Sequence, residues 1–366
     1  MSHKFSDVIL SALIGILAAA PIQATGADKT SGVKMKTKHD QISRWFEKTK
    51  TYCIGRFLID VPAQAEVVYG PAYLGADIAV IPSGVAKLDS ILKADQAETS
   101  EKKKLTSTVL GDAGPMLGKI IDGAVPGQKI VFAMRGSNED EYELRSYTPI
   151  GHDLFLAWGF AYKKTDDYQE LLAHLNAISR RVHQRADDEI PTSPGMCIDG
   201  ALIAPLDEFN TERVTLGVRL NDVHFSIDMT AKSDLVESDG LEWRIVGAEQ
   251  EAKKRGGADW YSRIKFFRRG NRTIGGWTGF EVAAWKPAQK DEHQSHEFAF
   301  VSHGEPMNPM LPVLDLALHS GVDGDTQGAK TPSISDAEAI ALWDRLIGSI
   351  RERPTVPKTK STNTAK

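Results

Sequence analysis

The chain has 366 residues, 44 Lys and Arg against 49 Asp and Glu, and a formal charge of −5. At roughly 100–200 residues per domain this length suggests two domains, and 41% hydrophobic residues are enough for packed cores. The mild acidity supplies no drive toward nucleic acid, and no apolar run reaches the roughly 18 residues of a membrane-spanning helix.

Residues 1–27 read as an export signal. Lys4 lies in a short polar head, Val8 to Ala20 carries no charge, and the small residues Ala24 and Ala27 follow Pro21. A head, an apolar middle and a small-residue exit in that order form a secretory signal. They predict a periplasmic chain after cleavage, and no Cys stands at the exit for a lipid anchor. A polar helix is expected over Asp40 to Lys50. Cys53-Ile-Gly-Arg-Phe-Leu-Ile-Asp-Val-Pro62 is a short apolar strand closed by Pro, which cannot continue a central ladder. In an oxidising compartment Cys53 and Cys197, the two cysteines, can form a disulfide. Two buried thiols acting as small hydrophobes are the alternative.

The first half, 44–185, continues with a polar helix around Val85 to Lys104 and a strand over Lys129 to Ala133. Paired strands Glu141 to Tyr147 and Asp153 to Tyr162 flank the Pro149-Ile-Gly151 turn. Leu171, Leu175 and Ile178 stand at helical spacing in a closing helix over Tyr168 to Arg181. Glu139, Asp140 and Glu141 form an acidic turn, an ordinary solvated loop or a contact for a basic partner. A linker, 186–195, carries three acids and two prolines.

The second half, 196–353, opens on Cys197-Ile-Asp-Gly-Ala-Leu-Ile-Ala-Pro205 and has a polar helix over Leu241 to Arg255. Arg263 to Arg272 holds five basic residues and two Phe. It reads as a strand leading into a basic hairpin, with Arg268 and Arg269 available to an acidic partner or an anionic lipid surface. Gly276-Trp-Thr-Gly279 then leads into the strand Phe280 to Trp285, and Trp277 is either a core residue or a partner anchor. Ser295 to His303 reads as a strand. A long loop, Glu305 to Thr331, has a middle, Val313 to Leu318, that suits a short helix or strand. Ser335 and Glu338 form a capping box before a closing helix over Asp336 to Arg351. The tail, 354–366, is rich in Thr, Lys and Pro and is expected to be disordered.

Similar features recur in order, at Cys53 and Cys197, Gly127 and Gly279, Ile178 and Ile350. Their separations grow from 144 to 152 to 172 residues, as insertions in a second copy would make them. The expected fold class is therefore α+β: two similar domains from an internal duplication, each a mainly antiparallel sheet with packed helices.

No catalytic, cofactor or metal site is expected. His296 and His303 fall on opposite faces of one strand and cannot share a metal. His296-Glu297 continues Phe-Ala-Phe rather than x-x-His. No G-x-S-x-G elbow occurs, and Gly114 to Lys119 departs from a phosphate loop at both ends. Such a chain reads as a binder. An exported hydrolase with an unrecognised site, or a periplasmic small-ligand binder with a cleft between the halves, are the rivals.

The Cys53-Ile-Gly-Arg-Phe57 opening, the second Cys-led half and Gly276-Trp-Thr-Gly279-Phe280-Glu281 resemble the immunity proteins for type VI secretion lipase effectors. In the first half Gln128-Lys129 stands where that pattern has aromatic-Glu. The resemblance spans most of 51–353. It implies a periplasmic antitoxin that binds and inhibits a phospholipase effector, protecting against self or sibling intoxication, without cofactor or turnover. It assigns no contact residues.

Overall fold

The computed structural model describes residues 40–106, 116–134, 141–162, 167–186, 188–208, 210–236, 240–289 and 291–356. The expected export signal and nearly all of the tail lie outside them. In chain order the first half contains α1 (Asp40–Trp45), β1 (Thr49–Ile54), β2 (Phe57–Pro62), β3 (Glu66–Tyr69), β4 (Ala72–Leu74), β5 (Asp77–Ile81), α2 (Leu88–Thr106), β6 (Ile120–Asp122), β7 (Lys129–Met134), β8 (Glu141–Ile150), β9 (Asp153–Tyr162), α3 (Asp167–Ser179) and β10 (Val182–Gln184). The second contains β11 (Met196–Ile198), β12 (Ala201–Ile203), β13 (Glu212–Leu220), β14 (Val223–Ala231), α4 (Leu241–Lys254), α5 (Ala258–Tyr261), β15 (Lys265–Ile274), β16 (Trp277–Lys286), β17 (Ser295–Ser302), β18 (Val313–His319), α6 (Asp336–Gly348) and β19 (Arg351–Glu352).

The fold is mixed helix and antiparallel sheet. Its strands do not form a separate large sheet in each half. They join in one 13-stranded sheet of order β15-β16-β17-β18-β14-β13-β4-β5-β9-β8-β7-β6, with β3 also paired to β13. The seam lies where β13 of the second half meets β3 along Leu216–Arg219 and β4 along Glu212–Arg213. Going outward from the seam, the first half runs β4-β5-β9-β8-β7-β6 and the second runs β13-β14-β18-β17-β16-β15.

Period-two alternation makes both faces of this sheet. In β14, Val223, Phe225, Ile227 and Met229 are buried while His224, Ser226, Asp228 and Thr230 are partly exposed. On the inner face α3 and α6 cover the main core, where Leu175 and Ile178 meet Phe132, Leu144 and Phe155, and Trp343 meets Phe225 and Phe298. The outer face carries two smaller clusters, one under α2 on Val131, Ala133, Tyr147 and Leu154, the other under α4 on Val282, Ala284, Ala299 and Val301. The expected helices at 85–104, 168–181, 241–255 and 336–351 match α2, α3, α4 and α6 to within a few residues at each end. Glu338 accepts the Ser335 N–H at 2.8 Å, completing the capping box of α6.

Two expectations change. The helix over Asp40 to Lys50 stops at Trp45, because the polar residues from Thr49 enter β1 and pair with β2 out to Pro62. Of the short helix or strand expected over Val313 to Leu318, the structure has the strand, β18, but it is an interior strand of the sheet between β14 and β17 and not part of a peripheral loop. Three of its seven residues, Leu314, Leu316 and Leu318, are fully buried, which a solvated insertion would not supply.

Each half begins with a hairpin and lends its last strand to the other half's hairpin. β19, at the end of the second half, pairs with β2, and β10, at the end of the first, pairs with β12. Gly55 and Gly200, at φ +56° and +64°, turn the two hairpins. The hairpins dock through Gly55 N–H to the Cys197 carbonyl at 2.9 Å and Cys197 N–H to the Gly55 carbonyl at 2.7 Å. A Cys53–Cys197 disulfide with Cα atoms 5.8 Å apart lies alongside, in a dry patch with Leu58 and Leu202.

The connecting segment 186–195 is tied down by two buried arginines. Arg185 donates to the carbonyls of Ala186, Glu189 and Ile198, and Arg353 donates to those of Pro191, Ser193 and Gly195. The disulfide closes a loop of 144 residues, which on chain entropy alone corresponds to about 5 kcal/mol against the unfolded state. Urea unfolding of the Cys53→Ser/Cys197→Ser variant should show a loss of roughly 2–5 kcal/mol, and adding reductant should then leave the variant's midpoint unchanged.

Candidate functional site

The short motifs singled out in the sequence are structural. In Gly276-Trp-Thr-Gly279-Phe280-Glu281, Trp277 is 3% exposed, packs against Phe57 with ring centroids 4.9 Å apart and donates its indole N–H to the Pro312 carbonyl at 2.8 Å. It is a core residue and not an exposed partner anchor, because the neighbouring half's hairpin covers its ring. A Cβ at Gly279 would lie 2.2 Å from the Val301 carbonyl oxygen, so only glycine fits there. Glu281 is 4% exposed and accepts from Trp343 Nε1 at 2.7 Å and from Arg272. Burial of the carboxylate is thus matched by two donors.

The candidate contact residues separate in space. Glu139 and Asp140 lie outside the described residues. Glu141 begins β8 and is 8% exposed, so it is not the tip of a solvated acidic turn. Arg268 makes a two-pronged pair with Asp344 on α6, at 2.7 Å for both bonds. Arg269 points to the opposite face of β15, 3.7 Å from Glu249 on α4 and over the Phe266 ring. The basic stretch of β15 therefore anchors two helices to one strand rather than presenting a free cationic patch. Phe266 and Phe267 are each half-buried, Phe267 being the extra residue of a bulge, and they pack on opposite faces of the sheet. His296 is buried against Phe298, with Ser320 Oγ at 2.8 Å and Asp336 at 3.1 Å. Burial pushes its imidazole down from the usual range, against the pull of Asp336.

Beside the seam, the outer face of the sheet carries a charged ladder. Asp228 and Asp315 stand directly opposite each other on β14 and β18. Arg213 reaches Asp228 at 2.9 and 2.5 Å, Thr230 donates to its other oxygen at 2.9 Å, and Arg244 of α4 reaches Asp315 at 3.3 Å. Burial, reinforced by the Asp228 charge, pushes the Asp315 carboxyl up to about 6, while Arg244 and Arg213 pull the other way. This ladder fixes the first turn of α4 to the sheet.

Sequence reasoning missed the exposed apolar residues on α4 and in the loop before β18. Trp243 is 58% exposed on α4, and Val246, one turn on, is 41% exposed. Next to Val246 stands Gly247, whose added Cβ would have nothing within 4 Å. Met307 and Met310 are 55% and 40% exposed in the loop before β18, and Met307 holds φ at +58° with its N–H on the Lys232 carbonyl at 2.8 Å. The signal was available in the phase of α4. Leu241, Ile245 and Ala248 form its buried stripe, so Trp243 and Val246 cannot belong to it.

Residues 189–355 match the family model described as Tle cognate immunity protein 4 C-terminal domain. No curated protein matches the sequence. Among solved structures, the apo form of the immunity protein TplEi of the type VI secretion system (T6SS) from Pseudomonas aeruginosa is 24% identical. It covers 84% of this chain and 98% of its own, at a TM-score of 0.64. TplEi complexed with "L" peptide is 23% identical over 84% and 99% of the two chains, at 0.61. A chain of the Tle4-Tli4 complex is 24% identical over 84% and 98%, at 0.64. At these identities the likeness establishes a common fold across nearly all of those chains.

Glu281→Ala should destabilise by about 3 kcal/mol, because it leaves the Trp343 N–H and the Arg272 guanidinium without their acceptor; chemical unfolding measures it. Asp315 sets a pH trend of unusual sign. Its folded pKa of about 6 lies above the ordinary carboxylate value of 3.8, so the folded state binds more protons between those limits, and this group's contribution to stability rises as pH falls from 7 to 4. Urea midpoints compared at pH 7 and pH 5 should show a smaller acid-side gain in Asp315→Asn than in the unsubstituted protein.

Proposed function

We propose that this chain is a periplasmic immunity protein that binds and inhibits a type VI secretion lipase effector, and so protects its cell from self or sibling intoxication. The observation that carries the reading is the immunity-family match over 189–355, in a chain that shares its fold along 84% of its length with the immunity protein TplEi and with a chain of the Tle4-Tli4 complex. The protein acts by stoichiometric occlusion and not by turnover. What this requires is a preorganised surface with a few central anchors, and a sheet stiffened at its seam by a disulfide and two buried arginines meets that requirement.

Export through residues 1–27 delivers the chain to the compartment where the toxin acts and where a Cys53–Cys197 disulfide persists. The chain arose by duplication of a unit that runs from hairpin to closing helix, over 44–185 and 196–353. The repeated strand order on either side of the seam, the two glycine-turned hairpins and the reciprocal pairing of β10 and β19 support this reading.

Neutralisation demands association before much lipid is cut, so the complex should have a Kd in the low nanomolar range, about −12 kcal/mol. Titrating purified residues 28–366 into the lipase encoded beside this gene should abolish phospholipid hydrolysis near one-to-one. Hydrolysis that continues at excess chain, or hydrolysis by the chain alone, would overturn the reading.

A further inference from the structure

The outer face of β16, β17 and β18 carries a cavity that the side chains of the fold do not fill. Side chains alternate between the two faces along each strand, and the pairing sets Ala284 of β16 beside Glu297 of β17 and His319 of β18 in one row, with Val282 and Ala299 in the next. Two of these positions are alanine, so the floor lies low beneath the helices. Ile245 of α4, Tyr261 of α5 and Phe266 of β15 form the walls. In the first half, Leu88, Ile91 and Leu92 of α2 pack down onto Val131 and Ala133 on the outer face. Here α4 sends down Leu241, Ile245 and the small Ala248. The cavity measures about 40 Å³, against the roughly 10–15 Å³ that one water needs. Counted with its open mouth, the unfilled space is about 520 Å³.

Lys286, Glu297 and His319 also line the cavity, and they form one cluster. Lys286 is 3% and His319 6% exposed. Lys286 Nζ lies 2.7 Å from Glu292 and 3.6 Å from Glu297, and His319 Nδ1 lies 3.3 Å from the other Glu297 oxygen. Burial by itself would push the Glu297 carboxyl up, but His319 and Lys286 hold it below its usual range. The charges of the cluster are therefore paired within the chain, and a ligand bringing a further charge would leave one uncompensated in a buried place. Tyr261 has the opposite need. Its hydroxyl is buried and has no hydrogen-bond partner among the described residues. Burial pushes its phenol up, which keeps the hydroxyl a donor. An acceptor on a ligand would relieve the cost of leaving that donor unmatched, while the apolar walls hold water poorly.

We propose that this cavity is a binding site for a small uncharged hydrocarbon molecule bearing one hydroxyl or carbonyl group, such as a short aliphatic alcohol. The hydrocarbon part covers Val282, Ala284 and Ala299, and the oxygen accepts from the Tyr261 hydroxyl. Because α4 and α5 form the walls, occupancy fastens both helices to the sheet. The site is separate from the Cys53–Cys197 seam, and its assignment does not depend on the immunity reading.

Titration of the purified chain with 1-butanol, followed through the methyl resonances of Ile245, Ile264 and Val282, should give saturable shifts confined to the cavity and a rise in the thermal midpoint. Butyrate and butylammonium should bind about 10-fold more weakly, because each brings a charge into the buried cluster. Ala299→Leu raises the floor and should abolish saturation by 1-butanol. Tyr261→Phe leaves the floor untouched and supplies a second arm. It should weaken 1-butanol about 5-fold and leave 1-chlorobutane, which lacks the oxygen, unchanged. Shifts that never saturate, a charged analogue that binds as well as the alcohol, saturation that survives in folded Ala299→Leu, or a Tyr261→Phe variant that treats 1-butanol and 1-chlorobutane alike, would each overturn the proposal.

Discussion

The structure depends on one seam. β13 is the strand through which two half-sheets become a single sheet, and it pairs with only short stretches of β3 and β4. A ladder that short would be a weak joint by itself. It is reinforced on the inner side, where the Gly55 and Cys197 backbones exchange two hydrogen bonds beside the disulfide, and where Arg56 pairs with Glu212 through two bonds of 3.2 and 2.5 Å. The Cys-x-Gly-Arg opening thus has a physical account. The Cys supplies the covalent tie, the Gly the left-handed turn that brings the hairpins together, and the Arg a charged clamp onto the first residue of β13.

The same economy governs the two buried arginines of the connecting segment. Arg185 and Arg353 each follow the strand that a half lends to the other half's hairpin, and each donates to several backbone carbonyls. A segment read from sequence as a linker has no secondary structure to satisfy its carbonyls, and two guanidinium groups do it instead. The halves are therefore held as one body.

This rigidity rests on charged and aromatic side chains that pair within the fold. Arg268, Arg272 and Glu281 interlock β15, β16 and α6, and Trp277 seals the contact between the first hairpin and the second half. Charged and aromatic residues that look available in the sequence are thereby taken up within the fold. Among the described residues, Trp243 and Val246 on α4 and Met307 and Met310 in the loop before β18 are some of the large apolar side chains that stay exposed.

From the sequence alone, the helices α3, α4 and α6, the β8–β9 hairpin and the alternation of β17 were legible, because each is set by local periodicity and by its own caps and turns. The order of features repeated at Cys53 and Cys197 could be read for the same reason. Three matters were decided only in three dimensions. Whether Cys53 and Cys197 meet depended on the pairing of hairpins 144 residues apart. Whether Trp277 and Arg268 are exposed depended on which distant elements cover them. The strand at 313–319 is interior only because β14 and β17 flank it. Local sequence carries propensity and phase, whereas burial and pairing belong to contacts between distant segments, and it is burial that distinguishes a core tryptophan at 277 from a surface one at 243.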